Sequence, residues 1–180
     1  MSKSKNSLLR KIIKLEFEMF ENVRAIQPSL CQEKPGSFRL MREMNHSVLS
    51  NDTLKSYLKD LKTARLKGRN LMTEKYARIN NIIHPINLNP DIQKIVSTEL
   101  EWFKEFSEQY PYIINKKPNY FSKYLSCELE TYSNRSIELY IKDIEIAQKV
   151  GINLVKQRFK YLVKKLGYTS LDEFESKRKE

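Results

Sequence analysis

Residues 53–83, TLKSYLKDLKTARLKGRNLMTEKYARINNII, decide the fold class. Leu54, Tyr57, Leu58, Leu61, Ala64, Leu66, Leu71, Met72, Tyr76, Ile79 and Ile83 recur three and four positions apart, the period of a helix with one apolar face, and no proline interrupts them. The spacing predicts one long helix over 53–83. Gly68 falls inside it at a cost of about 1 kcal/mol relative to alanine, which marks a kink or a close helix crossing.

The same period recurs on both sides. Leu8, Ile12, Leu15, Met19, Phe20 and Val23 predict a helix from a Ser7 cap, after a frayed segment at 1–7. A breaker-rich stretch, QPSLCQEKPG, follows, and then a helix over 37–50 with Ser37 as its cap. Beyond the HPINLNP loop, Asp91 opens a helix to Tyr110, and others are expected over 119–132 and 135–150. Gly151 either interrupts the last of these or serves as a small contact residue in a run that continues to Gly167. A short helix from Ser170 closes the chain, with Asp172 and Glu173 in its first turn. No segment reads as a strand. The expectation is all-α: a single-domain bundle of six to seven helices over residues 1–180.

Composition narrows the class. A chain of 180 residues with 40% hydrophobic content and ten tyrosines can bury a core, while four glycines and six prolines are too few for a β-sandwich. No apolar run reaches the roughly 18 residues a membrane helix needs, and the N-terminus lacks a signal-peptide pattern, so a cytoplasmic location is expected. Cys31 and Cys127 form neither a disulfide framework nor a CxxC pair and are expected to be free thiols.

Several chemistries lack their residues. Glu43-Met44-Asn45-His46 is one Glu-x-x-His unit where a di-iron bundle needs two, and the run ending at His84 has no matching Glu. Ser56-Tyr57-Leu58-Lys59 matches Ser-x-x-Lys without the companion motifs of serine β-lactamases. Phosphate loops, dinucleotide fingerprints and zinc spacings are missing, so neither a metal nor a cofactor is expected.

Polar residues recur at the edges of the apolar faces. On a continuous helix Asp60, Ala64, Leu71 and Glu74 share one stripe with Asn70 beside it, and Arg69 lies opposite Asp60. Glu16 precedes Met19 and Phe20, Arg42 follows Met41, Glu101 precedes Trp102, and Glu128 lies four residues from both Tyr124 and Tyr132. Either these groups form rim salt bridges and snorkel around a small core, or they turn inward as a cluster, which requires mutual pairing or a ligand. His46 is expected at the surface or half buried.

The blocks EFEMFENV, FRLMRE, SYLKDL, GRNLMTEKYA, YLSCELETYS, GINL and GYTSLDE occur in this order. Together they resemble a bacterial family, found largely in anaerobes, known only as a domain of unknown function. GRNL-x-x-EKYA and EL-x-TYS are its most specific blocks, and the likeness runs from about residue 12 to 175. The resemblance implies a stand-alone helical protein and carries no activity. Its polar blocks fall on Glu16, Arg42, Tyr57, Asp60, Arg69, Asn70, Glu74, Lys75, Tyr76, Glu101, Glu128, Tyr132 and Ser133. At 43–48 the chain departs from the family pattern, so little functional weight falls there.

Two functions are expected, from different classes. The first is an internal polar pocket for a small polar or anionic molecule, in which a metal-independent enzyme could work. Glu74, Glu128, Asp60 and Glu16 would be the acid/base carboxylates, and Arg42, Arg69 and Lys75 would hold an anionic group. Tyr57, Tyr76, Tyr132 and Trp102 would be walls or proton donors, with Asn70, Glu101 and Ser133 completing the ligand set. The alternative rests on a net charge of +11. Lys3, Lys5, Arg10, Lys11 and Lys14, and then Lys149, Lys156, Arg158, Lys160, Lys164 and Lys165, form two runs without an acid, suited to nucleic acid or an acidic partner.

Overall fold

A computed structural model describes residues 3–23, 35–114 and 117–179. Among them are nine helices and no strand: α1 (Lys3–Glu21), α2 (Pro35–His46), α3 (Asn51–Leu66), α4 (Leu71–Ile79), α5 (Asp91–Gln109), α6 (Pro118–Leu129), α7 (Asn134–Lys149), α8 (Leu154–Lys165) and α9 (Leu171–Lys179). The all-α class stands, with more helices than the six or seven expected. Residues 3–7, expected to fray, are helical. Ser37 lies inside α2 rather than capping it. Residues 27–34 of the expected QPSLCQEKPG loop, Cys31 among them, fall outside the described residues, whereas Cys127 is a buried free thiol. No helix among the described residues is long and apolar enough to cross a membrane.

The extra helices come from two glycines. At Gly68 and Gly151 the backbone enters the left-handed region, φ +68 at both, which costs a side-chain-bearing residue but not glycine. The turn closes identically each time: Arg69 N donates to Ala64 O at 2.8 Å and Gly68 N to Arg65 O at 3.1 Å, while Ile152 N donates to Ala147 O at 2.8 Å and Gly151 N to Gln148 O at 3.0 Å. These are Schellman closures. Two residues on, an asparagine caps the next helix. Asn70 Oδ1 accepts from Thr73 N at 3.0 Å, and Asn153 Oδ1 accepts from Lys156 N at 2.9 Å. Each asparagine also ties its corner to a crossing helix, Asn70 Nδ2 donating to Met19 O at 2.7 Å and Asn153 Nδ2 to Trp102 O at 3.0 Å. The predicted helix over 53–83 is therefore α3 and α4 joined by a corner. It also stops at Ile79, because Asn81 (φ 58) closes α4 as a glycine would.

The helices pack in a circuit, α1 on α3, α3 on α7, α7 on α5, α5 on α6, α6 on α4 and α4 on α1; α2 and α8 form a second route between α1 and α5. One apolar cluster draws on all nine helices, from Ile12 and Phe20 through Leu61, Ile95 and Phe106 to Ile144 and Phe174. Asp143 Oδ2 fastens α7 to the start of α3, accepting from Ser50 N at 2.9 Å and Thr53 Oγ1 at 2.7 Å.

Left-handed geometry at the two corners makes a direct test. Gly68→Ala and Gly151→Ala should each lower stability by about 1 kcal/mol in urea titrations. Gly36→Ala, within α2 and without a positive φ, should leave it unchanged or raise it by up to about 1 kcal/mol.

Candidate functional site

Five helices each turn a polar side chain into the interior. In α1, Glu16 lies four residues after Ile12 and four before Phe20, on the centre of the apolar stripe, and is wholly buried. Arg42 and His46 occupy successive turns of α2; both are buried, at 2% and 1% exposure. Tyr57 comes from α3, Lys75 from α4 and Glu128 from the end of α6, with Tyr132 from the turn that follows.

Arg42 is the centre of this network. It donates to Glu16 through Nε (2.9 Å) and Nη2 (2.6 Å), and to Glu128 through Nη1 (2.9 Å) and Nη2 (2.7 Å). Tyr57 OH donates to Glu16 Oε1 at 2.8 Å, and Lys75 Nζ donates to Glu128 Oε2 at 3.2 Å and to Tyr124 OH at 2.8 Å. Tyr132 OH reaches Glu128 Oε1 at 3.4 Å, and its ring stacks on Tyr57 with centroids 4.2 Å apart. His46 Nε2 lies 2.9 Å from Glu16 Oε1 and 3.1 Å from Arg42 Nη2. Both Nη2 hydrogens already point at Glu16 and Glu128, so His46 Nε2 carries the proton and donates to Glu16.

Two carboxylates face the Arg42 guanidinium and the Lys75 ammonium, with His46 beside them. Burial works most strongly against ionisation of Glu16, but Arg42 and His46 together outweigh it and hold the carboxyl at about 2. Burial likewise opposes the Glu128 charge, and Arg42 and Lys75 together keep this carboxyl well below the usual carboxylate range. Burial pushes the hydroxyls of Tyr57 and Tyr132 well up, so both remain donors. All four carboxylate oxygens are engaged within the network.

A second buried set repeats the pattern. Arg158 of α8 pairs with both oxygens of Glu99 in α5, and Tyr140 OH of α7 donates to Glu99 Oε1 at 2.6 Å. Arg158 Nη2 also donates to Tyr140 OH at 2.7 Å, and its Nε to Asn45 O at 3.2 Å.

The expected site residues therefore divide. The network unites Glu16, Arg42, Tyr57, Lys75, Glu128 and Tyr132, with Tyr76, half buried, beside Tyr124 at its rim. Asp60 and Glu74 do not join them, because the stripe that placed them together assumed a helix continuous through Gly68. Glu74 pairs at the surface with Arg69, at 2.7 and 2.8 Å. Asn70 and Ser133 are helix caps. Trp102 belongs to the apolar core, and Glu101 beside it is exposed.

Sequence reasoning passed over His46, Tyr124, Glu99 and Arg158. His46, expected at the surface or half buried, is fully buried because it follows Arg42 by four residues, one turn on the same face. Glu99 carried a legible signal, four residues after Ile95 and three before Trp102. Arg158, counted with the surface lysines, lies four residues after Leu154 and four before Leu162, on the buried side of α8.

Asp60 and Ser133 meet elsewhere, in an open cleft of about 610 Å³ between α3, the loop after α4 and the start of α7. Asp60 Oδ2 accepts from Ser133 N at 3.1 Å and Ser136 Oγ at 2.5 Å. Lys59, Arg69, Asn87, Glu130, Tyr132 and Arg135 also line the cleft. Glu130 is held by Arg78 Nε at 2.6 Å and Ile86 N at 3.2 Å, and Asn87 Nδ2 anchors the loop to Tyr132 O at 3.0 Å. No group of three or more His, Cys, Asp or Glu placed to hold a metal ion occurs among the described residues.

Removing the shared cation should be costly. Arg42→Met leaves two buried carboxylates facing Lys75 alone and should destabilise by about 3–5 kcal/mol, whereas Arg69→Met at the exposed pair should cost at most about 1 kcal/mol. The Glu16 carboxyl is lowered from 4.5 to about 2 on folding. Its contribution is thus complete above pH 4.5 and is lost as pH falls toward 2. Urea titrations across that window should show stability falling with pH, and falling less steeply in Glu16→Gln.

No curated protein and no solved structure matched this chain. A family model described as a protein of unknown function, DUF4125, matches residues 6–176. That match spans nearly the whole chain, including every helix that contributes to the buried network and to the cleft, so the protein belongs to the DUF4125 family.

Proposed function

We propose that the protein binds a small, polar, anionic molecule in the cleft between α3, the loop after α4 and the start of α7. The observation that carries this reading is the position of Tyr132. Its side of the cleft is continuous with the interior: the residue lines the cleft, its ring stacks on Tyr57, and its hydroxyl ends on Glu128. The buried charges act as a fixed wall behind the site. The interior carboxylates are occupied by Arg42, Lys75, His46 and two tyrosines, so the ligand belongs in the cleft beside them.

Charge favours an anion. Asp60 is committed to Ser133 and Ser136, Glu130 to Arg78 and Ile86, and Arg69 to Glu74. Arg135 is engaged by an exposed neighbour, Glu138, at 3.1 Å, and exposed Lys59 makes no ion pair or hydrogen bond among the described residues. Such exposed pairs are weak, worth up to about 1 kcal/mol, which leaves Arg135 available. The cleft's volume lies in the range of small-molecule sites, roughly 300–1,000 Å³.

Native mass spectrometry of protein purified at low salt provides the test. A retained mass of metabolite size is expected, and it should disappear in Thr63→Trp, which fills the cleft from an exposed position. A retained mass that survives Thr63→Trp places the ligand elsewhere.

A further inference from the structure

The two basic runs of the sequence do not form two surfaces. In α1, Lys3, Arg10, Lys11 and Lys14 are exposed, while Leu9, Ile12, Leu15 and Glu16 on the opposite side are buried. Lys3 to Lys14 is eleven residues, or about 16 Å of helix. In α8, Arg158 is buried against Glu99, and Lys156 turns to Gln109 of α5 at 2.7 Å. That leaves Lys160, Lys164 and Lys165 outward.

Helix α2 packs against both α1 and α8 and joins their basic ends. Its Glu43 accepts from Tyr161 OH at 2.5 Å and Lys165 Nζ at 2.9 Å on the α8 side. Arg10 of α1 is close enough to help hold the Glu43 carboxyl down. One turn earlier in α2, Arg39 is exposed with its guanidinium 4.6 Å from the Phe17 ring of α1. Against Lys3, Arg10, Lys14, Arg39, Lys164 and Lys165, the acids of these helices that reach the surface are Glu43, Glu18 and, at the far end of α1 from Lys3, Glu21; Glu18 is shared by Lys14 at 4.0 Å and Arg65 at 3.4 Å.

We infer that this composite face of α1, α2 and α8 binds the phosphate backbone of a nucleic acid without reading its sequence. The cations are spread along three packed helices, farther apart than one small anion can span. A duplex presents one charge per about 1.7 Å of its axis, so such a row meets several phosphates at once. Long lysine and arginine side chains make phosphate contacts that carry no base information. A membrane surface fits less well, because interfacial helices bury an apolar face in the bilayer. The apolar face of α1 is spent on the protein core, and the exposed Ile82, Leu88, Ile146 and Val150 belong to other segments, so that Leu166, just past Lys165, is a single exposed apolar side chain beside this face rather than an apolar stripe.

Fluorescence anisotropy of a labelled 20-base-pair DNA duplex of arbitrary sequence, with the intact chain, tests the inference. Binding is expected at 50 mM salt. It should weaken roughly fortyfold by 200 mM if three phosphates are contacted. Arg10→Glu and Lys164→Glu should each weaken binding at least tenfold at an unchanged melting temperature, while the same charge change at Lys123→Glu, an exposed position on α6, should not. The inference is overturned by absence of binding at 50 mM, by salt-independent binding, by equal weakening in Lys123→Glu, or by association with phosphatidylserine vesicles but not with the duplex. This readout is independent of the cleft, so Thr63→Trp should leave it unchanged.

Discussion

Arg42 places one guanidinium between two buried carboxylates contributed by α1 and α6, and the arrangement of the surrounding helices depends on that geometry. Guanidinium donors lie in a fixed plane. Satisfying Glu16 through Nε and Nη2 and Glu128 through Nη1 and Nη2 therefore sets where α1 and α6 stand relative to α2. Lys75 and Tyr57 bring α4 and α3 to the same carboxylates. Buried ion pairs are a poor source of net stability compared with apolar packing, but a misplaced helix would strand a charge away from water, a far larger penalty. The network selects one packing of these helices over its near neighbours.

Glu99, Arg158 and Tyr140 do the same for α5, α7 and α8. The two sets divide the helices between them, one on the circuit through α1, α3, α4 and α6, the other on α5, α7 and α8. Helix α2 serves both, through Arg42 in one and the Asn45 carbonyl in the other. With the interior held by buried charges paired with one another, the two surfaces proposed to bind are backed by that frame: the cleft walled by Tyr132, and the basic face where α2 draws α1 and α8 together.

Much was legible in the residues themselves. Apolar periods of three and four located nearly every helix, and they set Glu16, Arg42 and Glu128 at the edges of the apolar faces, short of the interior positions these residues occupy. GRNL and GINL carried a further signal that periodicity alone passes over. Each has glycine at a left-handed closure, asparagine as the next cap and leucine as the first helical residue. A glycine inside a helical period costs little enough to be tolerated, so the period continues through it. The asparagine two residues later distinguishes a corner from a kink.

Local periodicity and side-chain polarity by themselves determined an all-helical chain whose helices carry charged groups at the margins of their apolar faces, because both properties are local to a few turns. Which charge meets which was decided only by the tertiary structure. Glu16 and Arg42 are 26 residues apart and Arg42 and Glu128 are 86 apart, and no local rule couples such positions. The corner at Gly68 rotates α4 against α3, so that Lys75 turns inward while Glu74 turns out to Arg69. That single rotation separates Asp60 from Glu74, and it assigns one to the cleft and the other to a surface pair.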